Sequence, residues 1–186
     1  MRLFVAINLP DDVRHAIVRA AEPLRQPGLP VKWVEAAGIH LTLKFLGEVD
    51  AGREPAVRAA LADACAPARR FQLPIAGFGA FPTPARPRVV WVGCEPVPAL
   101  ELLQHGVETA FATLGFPVEG RPFRPHLTLG RAKRDVRTRV PGLADVLSRL
   151  SFTAAVAVES VELMESRLSP AGAQYAVRHR VPLEAT

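Results

Sequence analysis

The sequence predicts an α+β fold: two pseudo-symmetric lobes with antiparallel sheets flanked by helices, and a cleft between them. Three observations lead there. Short apolar runs are interspersed with stretches of helical period. Several strand pairs are separated only by turn residues. The tetrapeptide His40-Leu41-Thr42-Leu43 recurs as His126-Leu127-Thr128-Leu129, and each copy is followed by a helical segment. Mixed elements with hairpin connections point to α+β, and an internal repeat of this kind points to two lobes facing each other. The 186 residues are enough for one such two-lobed domain spanning 1–186.

Leu3 to Leu9 reads as a buried strand at the start of the chain. A helix capped by Asp11 follows, with Val13, Ile17, Ala20 and Leu24 on one stripe. Val31 to Val34 is a short strand, and His40 to Leu46 is another, ended by Gly47. Val57, Leu61 and Cys65 recur at helical spacing and predict a helix over about Glu54 to Ala66. Phe71 to Phe81 and Val89 to Cys94 read as strands. The segment between them, Pro82-Thr83-Pro84-Ala85-Arg86-Pro87, is rich in proline and is expected to interrupt any ladder. Leu100, Leu103, Val107, Ala110, Phe111 and Leu114 form the clearest helical stripe, closed by Gly115. After the strand His126 to Gly130, a helix is marked by Leu143, Val146, Leu147 and Leu150, with Pro141 near its first turn. Phe152 to Met164 and Gln174 to Leu183 read as the last two strands, joined by a turn at Ser169-Pro170-Ala171-Gly172.

Composition narrows the function classes. The net charge of +5 favours a polyanionic partner such as nucleic acid or a phosphorylated ligand. Cys65 and Cys94 lie far apart and form no C-x-x-C, so no disulfide framework or zinc knuckle is expected, and a reducing cytoplasmic setting fits. No apolar run approaches the roughly 20 residues of a membrane helix. There is no P-loop, no dinucleotide fingerprint and no G-x-S-x-G, which argues against a P-loop kinase or ligase and against an ordinary serine hydrolase. No metal-ligand spacing such as H-E-x-x-H occurs, and no metal or cofactor is expected.

The chemistry concentrates in the repeat. Alternation along a strand puts His40 and Thr42 on one face and Leu41 and Leu43 on the other, and does the same for His126, Thr128, Leu127 and Leu129. The leucines would anchor each strand in an apolar layer, while the polar pairs face what lies between the lobes. Two imidazoles with unperturbed pKa near 6.5 suit paired acid and base catalysis. Two threonine hydroxyls beside them suit binding of phosphate oxygens.

These segments resemble a known family. Lys32-Trp33-Val34, His40 through Val49, and Phe123-Arg124-Pro125-His126 through Arg131 look like the bacterial and archaeal RNA 2',3'-cyclic phosphodiesterases, formerly called 2'-5' RNA ligases, of the two-histidine phosphoesterase superfamily. The likeness runs from Met1-Arg2-Leu3-Phe4-Val5-Ala6-Ile7 to Glu165-Ser166-Arg167-Leu168-Ser169-Pro170 and Tyr175, nearly the whole chain. It implies metal-independent hydrolysis of 2',3'-cyclic phosphates at RNA ends or in cyclic nucleotides, with the bond to O3' breaking and a 2'-phosphate left. It implies His40 as proton donor, His126 as proton acceptor and Arg131 as a phosphate-binding arginine. Pseudo-symmetry alone cannot choose between the two histidines. Cleavage or joining of 2',5'-linked RNA at the same histidines stays open, as does a non-catalytic RNA-binding module. A cytoplasmic monomer with no membrane partner is expected.

Two candidates raise a parity problem. Strict alternation points Arg131 away from His126, but Gly130 allows a bulge that swings it back. Phe45 follows the first motif at the matching position and either stacks on a base or fills the core. The basic span from Arg121 to Arg139, together with Arg86 and Arg88, is a candidate RNA surface. Trp33 and Trp91, both in strands, are expected in the core. His15 and His105 fall off their helical stripes and are expected to be exposed.

Overall fold

The computed structural model describes residues 1–25, 29–133 and 139–186. Its strands are β1 (Arg2–Asn8), β2 (Val31–Trp33), β3 (His40–Glu48), β4 (Phe71–Thr83), β5 (Arg86–Cys94), β6 (His126–Ala132), β7 (Thr153–Val158), β8 (Ser160–Ser169) and β9 (Gly172–Pro182). The helices are α1 (Asp11–Ala20), α2 (Glu54–Cys65), α3 (Pro98–Thr113) and α4 (Leu143–Arg149). The strands run in the order β7-β4-β5-β6-β3-β1-β8-β9, with β2 added beside β6, and neighbours are antiparallel.

The two lobes are the two halves of this order. β1, β3, β8 and β9 form one, and β2, β4, β5, β6 and β7 the other. They meet at a seam between β3 and β6 where a single pair is in register, Leu41 opposite Leu127. These are the same position of the two tetrapeptides, so a local two-fold passes between them. Beyond the pair the strands diverge, and β2 takes the place beside β6 from Gly130 to Ala132. The sheet is therefore continuous through a narrow waist and curls around the seam.

The apolar layer lies on the face that carries Leu41, Leu43, Leu127 and Leu129, with Val5, Val90 and Val92 beside them. Ile17 of α1, Leu61 of α2, Val107 and Phe111 of α3, and Leu147 of α4 complete it, all buried. α2 and α3 lie against each other, with α3 over β3 and α2 over β8 and β9, while α4 lies against β4. Gly115, at φ +84, ends α3 as expected, because a left-handed residue there costs glycine no Cβ clash.

Three readings of the chain change. Asp11 is the first residue of α1 rather than its cap. Pro10 holds the N-cap position without a side-chain hydrogen bond, and Asp11 and Asp12 face the positive end of the helix dipole instead. The proline-rich segment continues the ladder: Pro82 lies opposite Pro87 and Thr83 opposite Arg86, leaving a turn of two residues. Proline has no N–H to donate, so neither carbonyl on this rung receives a bond from the residue opposite, and the ladder is held by the pairs on either side. The stretch Phe152 to Met164 is two strands rather than one. β7 pairs with β4 and β8 with β1, so the chain crosses from one lobe to the other at Glu159. The core-facing positions slip by one residue at that crossing, from Ala154, Val156 and Val158 to Val161 and Leu163, with Glu159 and Ser160 between them.

Candidate active site

Counting outward from the Leu41–Leu127 pair in an antiparallel register sets His40 across from Thr128 and Thr42 across from His126. With the leucines buried at 1% and 0% exposure, all four polar side chains occupy the opposite, concave face. Divergence of β3 and β6 beyond the pair opens the space between them.

Each histidine is fixed in the same way. His40 Nδ1 lies 2.9 Å from the carbonyl oxygen of Gly38, and His126 Nδ1 lies 2.7 Å from that of Arg124. A carbonyl only accepts, so Nδ1 carries the hydrogen in both rings and Nε2 is left for the cleft. The anchoring carbonyl is two residues upstream in each case, so the two-fold extends to the tautomers.

The surroundings of the two rings differ. His40 lies between Phe4, at 4.9 Å between centroids, and Tyr175, at 5.0 Å. Phe4, Ala6 and Met164 are buried in a small cluster of their own with Tyr175 against it, separate from the main core. His126 meets Phe81 edge-on at 5.1 Å. Burial pushes the His40 pKa down to about 4; the Gly38 hydrogen bond opposes this, and Arg14 and Arg131 add to it. His126 is also lowered, first by burial and then by Arg131, against the Arg124 hydrogen bond. The free site therefore holds both rings neutral at pH 7, which suits a proton acceptor. A proton donor here requires an arriving negative charge to offset burial and the arginines.

The parity problem resolves through two matched bulges. On β3, Ala6 pairs with Thr42 and the next β1 residue, Val5, pairs with Lys44, so Leu43 is the extra residue. On β6, Trp91 pairs with Thr128 and Val90 with Gly130, so Leu129 is the extra residue. Two successive residues thus turn to the apolar side, and the next returns to the histidine face. Arg131 is exposed there and acts on both rings. Phe45, at 65% exposed, is not a core residue; its ring lies 6.1 Å from Phe4. Gly130 matters for space rather than flexibility, because a Cβ would come within 2.6 Å of both Trp33 and Val31. At the matching position Lys44 is buried, bonded to Glu108 of α3 at 2.7 Å and to the Pro117 carbonyl at 2.8 Å.

Several residues near the site were not singled out from sequence. A cavity of about 510 Å³ beside His40 is lined by Asn8, Arg14, Met164, Tyr175 and Arg180 among others. Arg14 donates to Asn8 Oδ1 at 3.0 Å, and buried Glu162 accepts from the Asn8 backbone N–H at 3.2 Å and from Arg180 Nε at 3.1 Å. These polar residues come from α1, β1, β8 and β9, and no local spacing joins them. Trp33 packs against the core as expected, but Trp91 stands on the concave face beside Thr128. His15 and His105 are exposed. Arg121, Arg124 and Lys133 of the basic span are exposed, whereas Arg134 and Arg137 lie outside the described residues. Cys65 and Cys94 are unpaired, with burial pushing both thiols up to about 12. Among the described residues, no group of three or more His, Cys, Asp or Glu side chains is arranged to hold a metal ion. No helix among them is long and apolar enough to cross a membrane.

Comparison with known proteins agrees with this fold. A family model described as the 2'-5' RNA ligase superfamily matches residues 9–169. A Methanothermobacter thermautotrophicus protein named RNA 2',3'-cyclic phosphodiesterase is 34% identical over 177 residues, covering 94% of this chain and 95% of that one. A Thermotoga maritima protein of the same name is 30% identical, covering 99% and 96%. Among solved structures, a Thermus thermophilus protein superposes with a TM-score of 0.83 at 31% identity over 100% of this chain and 99% of its own. Escherichia coli LigT in complex with 3'-AMP gives 0.76 at 32% identity, covering 98% and 97%. The chain belongs to the 2'-5' RNA ligase superfamily.

Proposed function

We propose that this protein hydrolyses 2',3'-cyclic phosphates at RNA ends to 2'-phosphates, with His40 as proton donor and His126 as proton acceptor. The observation that carries the reading is the pairing of Leu41 with Leu127, which brings two His-x-Thr faces together with both histidines in the same tautomer. In-line displacement needs a base on one side of phosphorus and an acid on the other, and two imidazoles related by a local two-fold offer that. A water attacks phosphorus and gives its proton to His126 Nε2. The bond from phosphorus to O3' breaks as His40 Nε2 supplies a proton to that oxygen. Thr42, Thr128 and Arg131 hold the non-bridging oxygens, and Phe45 offers an apolar face to the nucleoside.

The relatives' names support the reaction, and the 3'-AMP in the LigT complex supports a nucleotide ligand for this cleft. The residues of the site all come from one chain, so a monomer suffices. Two buried unpaired cysteines suit a reducing cytoplasm, and the basic surface suits RNA rather than a membrane as partner.

The test is hydrolysis of an RNA oligonucleotide ending in a 2',3'-cyclic phosphate, with EDTA present and the product identified by phosphorus NMR. Wild type should yield a 2'-phosphate. His40→Ala and His126→Ala should each lose about 10²- to 10⁴-fold. A 3'-phosphate product would overturn the bond assignment. Binding without turnover by wild type would replace the enzyme with an RNA-binding module.

A further inference from the structure

The concave face is not symmetric about the local two-fold. On β1, Asn8 pairs with His40, and the matching place beside His126 on β5 is Gly93, which carries no side chain. The His40 side therefore has a polar cluster that the His126 side lacks. A cavity of about 510 Å³ opens beside His40, with Asn8, Arg14 and Arg180 among its walls. The catalytic assignments above give these three residues no task.

Charge in this cluster is unevenly matched. Glu162, 2% exposed, answers Arg180, whose Nε donates to it at 3.1 Å. Asn8 is turned by two neighbours: its Oδ1 accepts from Arg14 Nη2 at 3.0 Å, and its Nδ2 donates to the Glu162 carboxylate at 3.4 Å. Arg14 has a weaker acidic partner. It meets Asp11 at 3.5 Å, and Asp11 is 85% exposed while the Arg14 side chain is 13% exposed. Of the five N–H groups of a guanidinium, two meet an acceptor among the described residues, and the Nε–H is buried without one. A cation held this far from water and paired this thinly costs free energy unless an anion joins it. The charge of Arg14 is felt at the His40 ring, so an anion that joins it lies in the same cleft as the reacting phosphate.

The connectivity of ribose says which anion. His40 gives its proton to O3', so O3' lies on the His40 side of phosphorus and the attacking water on the other. O3' is bonded to C3', C3' to C4', and C4' carries C5' with its oxygen. The 5' end of the terminal nucleotide therefore leads away from phosphorus past His40, toward Arg14 and Arg180. We propose that Asn8, Arg14 and Arg180 form a subsite for the phosphate on the 5' oxygen of the nucleotide that carries the cyclic phosphate. This rests on His40 being the proton donor, as assigned above. The ligand is a phosphate ester one nucleotide upstream of the reacting phosphorus, either the internal linkage of an RNA strand or the 5'-phosphate of a mononucleotide. Arg14 holds its oxygens by charge-assisted hydrogen bonds, Asn8 fixes the guanidinium, and Arg180 adds charge at the rim. The subsite selects cyclic phosphates borne on a 5'-phosphorylated nucleotide over those of free nucleosides.

The experiment compares kcat/KM for four substrates in wild type, Arg14→Gln and Arg14→Lys. They are adenosine 2',3'-cyclic phosphate, its 5'-phosphorylated form, the diadenosine dinucleotide ending in a 2',3'-cyclic phosphate, and the same dinucleotide with an uncharged methylphosphonate linkage. In wild type, the two substrates with a charged 5' phosphate should exceed the nucleoside by about 10- to 150-fold, the range for hydrogen bonds to a charged group. The methylphosphonate should fall back to the level of the nucleoside. In Arg14→Gln the preference should shrink to near one, and Arg14→Lys should keep part of it. Taking ratios cancels any effect of Arg14 on His40 or on the amount of folded protein. A gain for the charged dinucleotide alone would assign the subsite to an internal linkage, and a gain for the 5'-phosphorylated nucleoside alone would assign it to a free nucleotide. A wild type that treats all four alike would overturn the subsite. So would a methylphosphonate as good as the phosphodiester, which would put recognition in the second nucleoside, or an equal loss on all four substrates in Arg14→Gln. A wild type that opens none of them, or opens them to 3'-phosphates, would overturn the function proposed above and the placement of this subsite with it.

Discussion

Occupation of the cleft by phosphate should raise the proton affinity of His40 about a thousandfold. In the free protein its pKa is held down at about 4, by burial first and by Arg14 and Arg131 in addition. At pH 7 such a ring is protonated in roughly one molecule in a thousand, too few for an effective acid. A phosphate carrying one negative charge about 4 Å from the imidazole, at an effective dielectric constant of about 20, contributes roughly 4 kcal/mol in favour of the protonated ring. At 1.36 kcal/mol per decade, that moves the pKa from about 4 to about 7. The substrate would then bring His40 into its working range. The assay is proton NMR of the ring resonances of His40, titrated with and without saturating adenosine 2'-phosphate, with His40→Gln to assign the signal. A free pKa near 6.5 would refute the burial argument. A free value near 4 that stays there in the complex would refute substrate-assisted protonation and, with it, the donor role of His40.

Three other outcomes follow from the packing. Lys44→Ala should destabilise the protein by about 3–5 kcal/mol in urea unfolding, because it strands Glu108 in a buried site; Lys44→Met combined with Glu108→Met should recover most of the loss, and a single variant within 1 kcal/mol of wild type would contradict the burial of this pair. Gly130→Ala should cost about 1–3 kcal/mol by driving a Cβ into Trp33 and Val31, and it should also lower activity by displacing Arg131; unchanged melting and turnover would show that β2 yields freely. Acidification should weaken the fold through His40: its folded pKa of about 4 lies below the unfolded value of 6.5, so the unfolded chain binds the proton first and stability falls as pH drops through this window. Between pH 7 and 4.5 the loss attributable to this ring is about 2 kcal/mol, read as the difference between wild type and His40→Gln in denaturant midpoints at the two pH values.

The parts of this protein written in short-range pattern are legible in its sequence. The period of α3, its terminating Gly115, and the alternation of His and Thr against Leu in both tetrapeptides follow from local geometry. Their repetition suffices to predict two related lobes and two histidines facing one cleft. Other features depend on which strand lies beside which. The bulges at Leu43 and Leu129 exist only relative to the registers of β1 and β5, so alternation within β3 and β6 leaves Phe45 and Arg131 on the wrong face. Lys44 finds its buried partner only because α3 supplies Glu108 from 64 positions away. Trp91 reads as core until Gly79 gives it a place on the concave side. The break at Glu159 shows locally only as a one-residue slip between Val158 and Val161, and the pairing of the two strands with different lobes gives that slip its meaning. Local sequence sets each strand's two faces, because side-chain direction alternates with the backbone. Tertiary pairing decides which neighbours those faces meet and where the alternation slips by one residue, and with that which residues join the histidines.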